Sequence, residues 1–319
     1  MSIRLIFVFF CNSILSSGNA QTDDSIKVKL RLLAENIRGS GYLPYSIVQE
    51  LRLESKPRVL LPLIEEYRLY PNPDVQKKIY EVYFDYAVQS NFTPFRREMV
   101  NKLLCACTDS IHTSYACGYV ESLLSSNSNL SQKIKKKDYD ALAKRKLLAI
   151  LNSRRFGFLY SQVIGFLEYK EAIPRLNQLL ELSKKEGYQQ RVVTFALARM
   201  GQKQAIRQVT DSLNRITNIQ DIIKEINVLK YIKRQEILPF ISMILFSSKT
   251  ILSAESEMSE QEDQYEPISN YALDILSSVV EDFPVQYSDA RYYVAENLKL
   301  ARNWFKLNKS KIKFKTDEY

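Results

Sequence analysis

The sequence predicts an all-α fold, an α-solenoid of stacked antiparallel helix pairs. Three observations carry the prediction. First, three segments recur almost in register: Glu171-Ala172-Ile173-Pro174-Arg175-Leu176, Gln204-Ala205-Ile206-Arg207-Gln208-Val209 and Glu236-Ile237-Leu238-Pro239-Phe240-Ile241, with starts 33 and 32 residues apart. Second, each segment leads into an apolar run of helical period, and another such run separates it from the next. A period of this size with two helical patterns per unit marks stacked helical repeats. Third, the 319 residues include only 8 Gly and 10 Pro, and few stretches alternate as strands do.

The N-terminus reads as a targeting segment. Arg4 is its charged start, residues 5–10 with Ile14 and Leu15 form a short apolar run, and Ser17-Gly18-Asn19-Ala20 ends it in small residues. That is the pattern of a secretory signal peptide, residues 1–20, cleaved after Ala20. The run is too short to cross a bilayer comfortably. Phe9 and Phe10 are too bulky for Cys11 to be a lipoprotein site. The expectation is a secreted or periplasmic protein with no membrane-spanning segment, in which residues 21–319 form a single solenoid.

The repeated unit is clearest over 171–201. Ala172, Ile173, Leu176, Leu179 and Leu180 make one apolar helical stripe. Pro174 sits near the start, where a missing N–H is harmless. Gly187 punctuates the turn. Val192, Val193, Phe195, Ala196, Leu197 and Met200 make a second, more apolar helix, closed by Gly201 as a left-handed cap. Neither stripe can be buried by one helix alone, so pairs must stack. The expected core holds Leu176, Leu180, Val193, Ala196 and Leu197. The pattern is best over 156–247. It is weaker over 57–89, where Arg58 to Ile64 reads as a first helix and Pro73 to Tyr80 as a second, and weakest over 94–125 and 268–283.

The unit Ala-Ile-Pro-x-Leu-x-x-Leu-Leu, followed by Arg-Val-Val-x-x-Ala-Leu-Ala-x-Met-Gly, resembles the HEAT repeat, in particular the short bacterial variety associated with phycobilin lyases. The departures are Arg207 where the pattern has Pro, and Tyr or Phe at many small buried positions. Ala301-Arg302-Asn303-Trp304-Phe305-Lys306-Leu307-Asn308-Lys309 is similar to the Ala-x-x-Trp-Trp-x-x-Asn-Lys ending of exported bacterial proteins of this type, with Phe305 for the second Trp. The resemblance implies that residues 290–319 cap the stack, with Trp304 as the plug.

The formal net charge is +9, or +8 without residues 1–20, and it is unevenly placed. Lys133, Lys135, Lys136, Lys137, Lys144, Arg145 and Lys146 crowd 133–146 against Asp138 and Asp140. Lys306, Lys309, Lys311, Lys313 and Lys315 crowd the tail. Between the two lies an acidic insertion, 250–267, which reads as a solvated loop. The basic runs read either as solvated faces or as contacts for an anionic lipid or polymer. Nucleic acid does not suit an exported chain. The 20 Tyr and 15 Phe read as packing between helices unless they cluster in the open, where they would mark a contact surface.

Chemistry is poorly represented. The single histidine, His112, rules out the His-Glu-x-x-His zinc pattern and stands without a Gly-x-Ser-x-Gly elbow. Cys105, Cys107 and Cys117 are poorly spaced for zinc. Cys105 or Cys107 could bridge to Cys117, or all three could remain thiols. Glu65-Glu66 and Glu281-Asp282 are unremarkable acid–base candidates. No phosphate loop is present. The chain therefore reads as an exported, non-enzymatic helical-repeat scaffold binding a protein or peptide on its concave face, with no cofactor, metal or catalytic residue. The alternatives are an enzyme or enzyme accessory of the lyase-associated type, and a basic adaptor for an anionic envelope polymer or lipid.

Overall fold

The structure is a computed structural model. It describes residues 24–54, 57–69, 71–89, 93–107, 113–125, 135–152, 160–183, 187–252, 265–286 and 295–317. The predicted signal peptide, His112, Lys133 and most of the acidic insertion lie outside the described residues. The described chain is mainly helical, with one short two-stranded ladder and an isolated antiparallel bridge between Val280 and Phe314. It divides into two compact units, residues 1–146 and 147–319.

Unit 1 holds α1 over 24–40, α2 (Tyr45–Glu54), α3 (Pro57–Arg68), α4 (Pro73–Gln89), α5 (Thr93–Ala106) and α6 (Thr113–Ser125), then the start of α7 (Ala141–Asn152). The predicted helix pair over 57–89 is α3 and α4, which pack together. Asn72 starts α4, its side chain accepting the N–H groups of Asp74 and Val75. Helix α4 packs on both α5 and α6. Its buried face is aromatic: Tyr80, Tyr83 and Tyr86 are fully buried, as core filler between helices. The Tyr86 hydroxyl reaches back to the Val48 carbonyl of α2 at 3.3 Å.

The basic run 135–146 does structural work through its two acids. Asp138 is wholly buried and pairs with Arg96 of α5 at 2.7 Å, while accepting the Lys135 N–H at 2.7 Å. Asp140 begins α7 by accepting the Ala143 N–H at 2.9 Å, and it also receives the Asn101 amide. Those N–H donors hold its carboxyl below the usual aspartate range even though burial pushes the other way. Cys105, Cys107 and Cys117 stand as thiols, the last two buried.

Unit 2 holds α8 (Ser161–Phe166), α9 (Ile173–Leu182), α10 (Gly187–Arg199), α11 (Lys203–Asn214), α12 (Ile219–Lys224), α13 (Ile226–Ile232), α14 (Leu238–Leu245), β1 (Thr250–Leu252), β2 (Tyr265–Pro267), α15 (Ser269–Val279) and α16 (Ala295–Asn308). The three recurrent segments open α9, α11 and α14. Their partners are α10, the broken pair α12–α13, and α15. Helix α10 packs on α8, α9, α11 and α13, and α15 packs on α13 and α14. Gly201 adopts φ +82°, the left-handed cap predicted for it. Leu176, Val193, Ala196 and Leu197 are buried as expected. Leu180, expected in the core, is only half-buried, whereas Ala172, Leu176 and Leu179 of the same predicted stripe are buried.

Two further expectations change. The acidic insertion is not all loop, because β1 and β2 pair antiparallel at its base, Thr250 opposite Pro267. Trp304 is not the main plug. It is half-buried, edge-on to Phe283 at 5.3 Å, whereas Phe305, Ile312 and Phe314 are buried. The chain around Phe314 bridges Val280 antiparallel, and Gln235 and Lys233 donate to the Ile312 and Lys315 carbonyls.

The tightest approach in unit 2 is at Gly165 of α8. A methyl group there would meet the Tyr231 hydroxyl and lie 2.7 and 2.9 Å from Ala196 Cα and Cβ. Backbone cannot rotate away, so Gly165→Ala forces the helices apart and is expected to cost about 1–3 kcal/mol. Leu176→Ala is expected to cost about 2–5 kcal/mol, and Leu180→Ala clearly less. Urea titrations of the three variants check the order. A Leu180 loss equal to that of Leu176 would restore the sequence-predicted register.

Candidate binding surface

Two of the exposed aromatics of unit 1, Tyr45 and Tyr115, stand on α2 and α6, and both helices reach α4. Position 45 opens α2, positions 77, 81, 84 and 85 share one face of α4, and positions 115 and 119 are one turn apart on α6. Tyr45 is 54% exposed and Tyr115 46%. These helices meet in two matched rungs. In the first, Lys77 Nζ lies 5.1 Å from the centre of the Tyr115 ring. In the second, Tyr119 donates to Glu81 at 3.3 Å, and its ring sits 5.5 Å from that of Phe84. Both rungs rise together on the two helices, so α4 and α6 run in the same direction. Tyr45 donates to the same Glu81 from the α2 side, and Lys78 closes on it at 2.7 Å.

Glu81 is thus the hub of the surface. Burial alone would raise its pKa. The hydrogen bonds from Lys78, Tyr45 and Tyr119 outweigh that and hold it below the usual glutamate range. The reciprocal effect falls on the phenols. The bond to Glu81, with partial burial, pushes Tyr45 up to about 12, and burial with the Glu81 charge pushes Tyr119 up as well.

Beneath this face a second acid is held in the same way. Glu65 of α3 receives Tyr83, Arg68 at 2.9 Å and Lys102 at 3.1 Å. Burial would raise it, but these donors win and lower it. Burial and the Glu65 contact raise Tyr83. A carboxylate so held is a poor proton donor at neutral pH. Its sequence neighbour Glu66 is exposed. The other sequence-predicted pair, Glu281 and Asp282, is also exposed, on the turn after α15 where Asp282 has φ +54°.

Unit 2 carries a comparable row. Arg191 of α10 pairs with Glu225 at the α12–α13 break and stacks 5.4 Å from the Phe195 ring. Lys230 of α13 pairs with Asp274 of α15 at 2.6 Å. Deeper in the same seam, Arg199 is 1% exposed, donates to the Tyr231 carbonyl and lies 5.2 and 5.0 Å from the Phe166 and Tyr231 rings. Arg191–Glu225 and Arg199–Tyr231 ascend together, so α10 also runs parallel to α12–α13.

Apart from the acid–base candidates Glu65, Glu66, Glu281 and Asp282, none of these residues was singled out as functional from the sequence. A signal was present: Lys77 to Tyr115 and Glu81 to Tyr119 are both 38 residues apart. That common spacing exceeds the 33- and 32-residue steps between the recurrent segments downstream. Among the described residues no group of three or more His, Cys, Asp or Glu could hold a metal ion. Nor is any described helix long and apolar enough to cross a membrane. Comparison with family models, curated proteins and solved structures gives no match to the chain.

The charge pattern has a pH signature. A depressed glutamate contributes stability above its unfolded pKa and loses it as pH falls through the folded value. A raised tyrosine contributes below the ordinary phenol pKa and loses it as pH rises through the folded value. Spectrophotometric titration is expected to leave Tyr45, Tyr83 and Tyr119 protonated where ordinary tyrosines ionise. Glu81→Gln is expected to bring Tyr45 and Tyr119 down toward the ordinary range and leave Tyr83 unmoved. Unaltered titration in Glu81→Gln would show that Glu81 is not the hub.

Proposed function

We propose that the chain is an exported helical-repeat scaffold of the HEAT type, which binds a protein or peptide along the face formed by its second helices and performs no catalysis. The repeat reading draws support from the sequence period and from the shared direction of the helix rows α4–α6 and α10–α13. Within such a stack each helix pair adds one strip to a continuous surface.

The observation that carries the binding reading is the ladder of Tyr45, Glu81, Lys77, Tyr115 and Tyr119 across three helices. Buried tyrosines fill space. Tyr45 and Tyr115 instead keep about half their area in water while their neighbours fix them. Fixed aromatics with a polar tip lose little side-chain entropy on binding and are enriched at contact centres. A partner of mixed polarity, with groups that meet both Lys77 and a tyrosine ring, suits this face. The carboxylates are held ionised by several donors each, which serves shape and polarity rather than proton transfer.

The test uses the purified chain without residues 1–20 as bait against the envelope fraction of its source, followed by titration of whatever is captured. Tyr45→Ala and Tyr115→Ala are each expected to raise Kd about ten-fold, or about 1.4 kcal/mol. Leu182→Ala, on the exposed end of α9, is expected to leave it unchanged. Equal affinity for all four proteins removes this face from the reading. Turnover of a small molecule, abolished by one Asp or Glu substitution, replaces the scaffold with an enzyme.

A further inference from the structure

Helix α16 buries Leu298, Ala301 and Phe305 against its unit and turns a different character outward. Lys299, Leu300, Asn303, Lys306 and Leu307 are all exposed and, at spacings of three and four, share one strip. Leu307 is 81% exposed and Leu300 47%. At the side of the strip Phe246, itself 38% exposed, lies 5.4 Å beneath Lys306 Nζ. Lys309, Lys311 and Lys313 follow directly, all exposed.

Residues 295–317 hold seven basic side chains against two acidic ones, Glu296 and Asp317. Two of the seven are used inwardly. Lys315 donates to the Ser277 carbonyl, and Arg302 to the Leu245 and Ser247 carbonyls. The remaining five lysines make no ion pair among the described residues. Even Lys313, whose carbonyl accepts the Glu281 N–H across the bridge, forms none.

We propose that this strip docks the protein peripherally on an anionic lipid surface. The pairing of features selects the partner. Uncompensated lysines attract any polyanion, but a soluble polyanion gains nothing from Leu300 and Leu307. At a lipid surface the lysines meet headgroups while leucines enter the boundary with the acyl chains. The helix axis lies flat in that arrangement, which its exposed strip permits without unfolding, and no described helix is long and apolar enough to span the bilayer.

The test is co-sedimentation of the full chain with vesicles of phosphatidylcholine mixed with phosphatidylglycerol, and with vesicles of phosphatidylcholine alone. Binding is expected only to the mixed vesicles and is expected to fall with added salt. Each lysine near the surface is worth about five-fold in affinity. The variant Lys306→Glu/Lys309→Glu/Lys311→Glu/Lys313→Glu is therefore expected to bind at least about 100-fold more weakly. The corresponding Lys→Gln variant removes charge without adding any and is expected to lose affinity in the same direction. Leu300→Ser/Leu307→Ser is expected to lose several-fold. Lys170→Glu/Lys203→Glu/Arg207→Glu/Arg215→Glu reverses as many exposed charges elsewhere in the unit and is expected to retain most of the binding. Circular-dichroism melts matching the parent show that the variants are folded. The proposal is overturned by absence of binding to mixed vesicles, by full binding of the leucine variant, which would mark a site for soluble polyanion, or by equal loss in the control variant.

Discussion

Everything in unit 2 depends on how closely α8, α10 and α13 can approach. Gly165 and Ala196 leave room for one helix to touch the backbone of the next, and Tyr231 passes its hydroxyl over that contact to the Gln162 carbonyl at 2.6 Å. Beside it the Arg199 guanidinium lies against the Phe166 and Tyr231 rings and donates to the Tyr231 main-chain carbonyl. Carbonyl and ring faces thus both take part in holding this buried cation. The helix row thus has a small-residue seam on one side and a large planar filler on the other. Either one alone would leave a void or a clash.

The polar surface grows out of the same geometry. Along the parallel helices α4 and α6, Lys77 meets Tyr115 and Glu81 meets Tyr119. Glu81 gathers donors from both α2 and α6. Arg191 and Glu225 repeat the arrangement in the second unit with different residue types. Side chains fixed in this way point outward with little freedom left to lose on contact, which favours binding over a surface of mobile lysines.

Much of the helical pattern was legible in the sequence, because burial imposes a period on it. Positions 172, 176 and 179, and 192, 193, 196 and 197, follow that period, and Gly201 ends its helix with a backbone angle open to glycine. The sequence was misleading where two adjacent leucines competed for one buried slot. Leu179 and Leu180 differ by 100° around the helix, and only the neighbouring helix decides between them. Contacts between distant charges were not legible at all. Nothing local marks Asp138 as the partner of Arg96, 42 residues earlier, because ion pairing leaves no periodic trace. The surface ladder fell between these cases. Its 38-residue spacing was present, but tyrosines that fill a core and tyrosines that line a face have the same composition.

The way unit 2 is finished has a consequence for self-association. A helical repeat presents, at its last helix pair, the same apolar edge that elsewhere receives the next pair. Such an edge can recruit another copy of the chain and grow a filament. Here Phe314 bridges Val280, the Lys315 N–H donates to the Val279 carbonyl, the Lys313 carbonyl accepts the Glu281 N–H, and Lys233 and Gln235 occupy the outer carbonyls. Ile312 and Phe314 are buried against the same end of the unit. Backbone groups beyond α15 that this stretch engages are no longer open to pairing with a second copy of the chain.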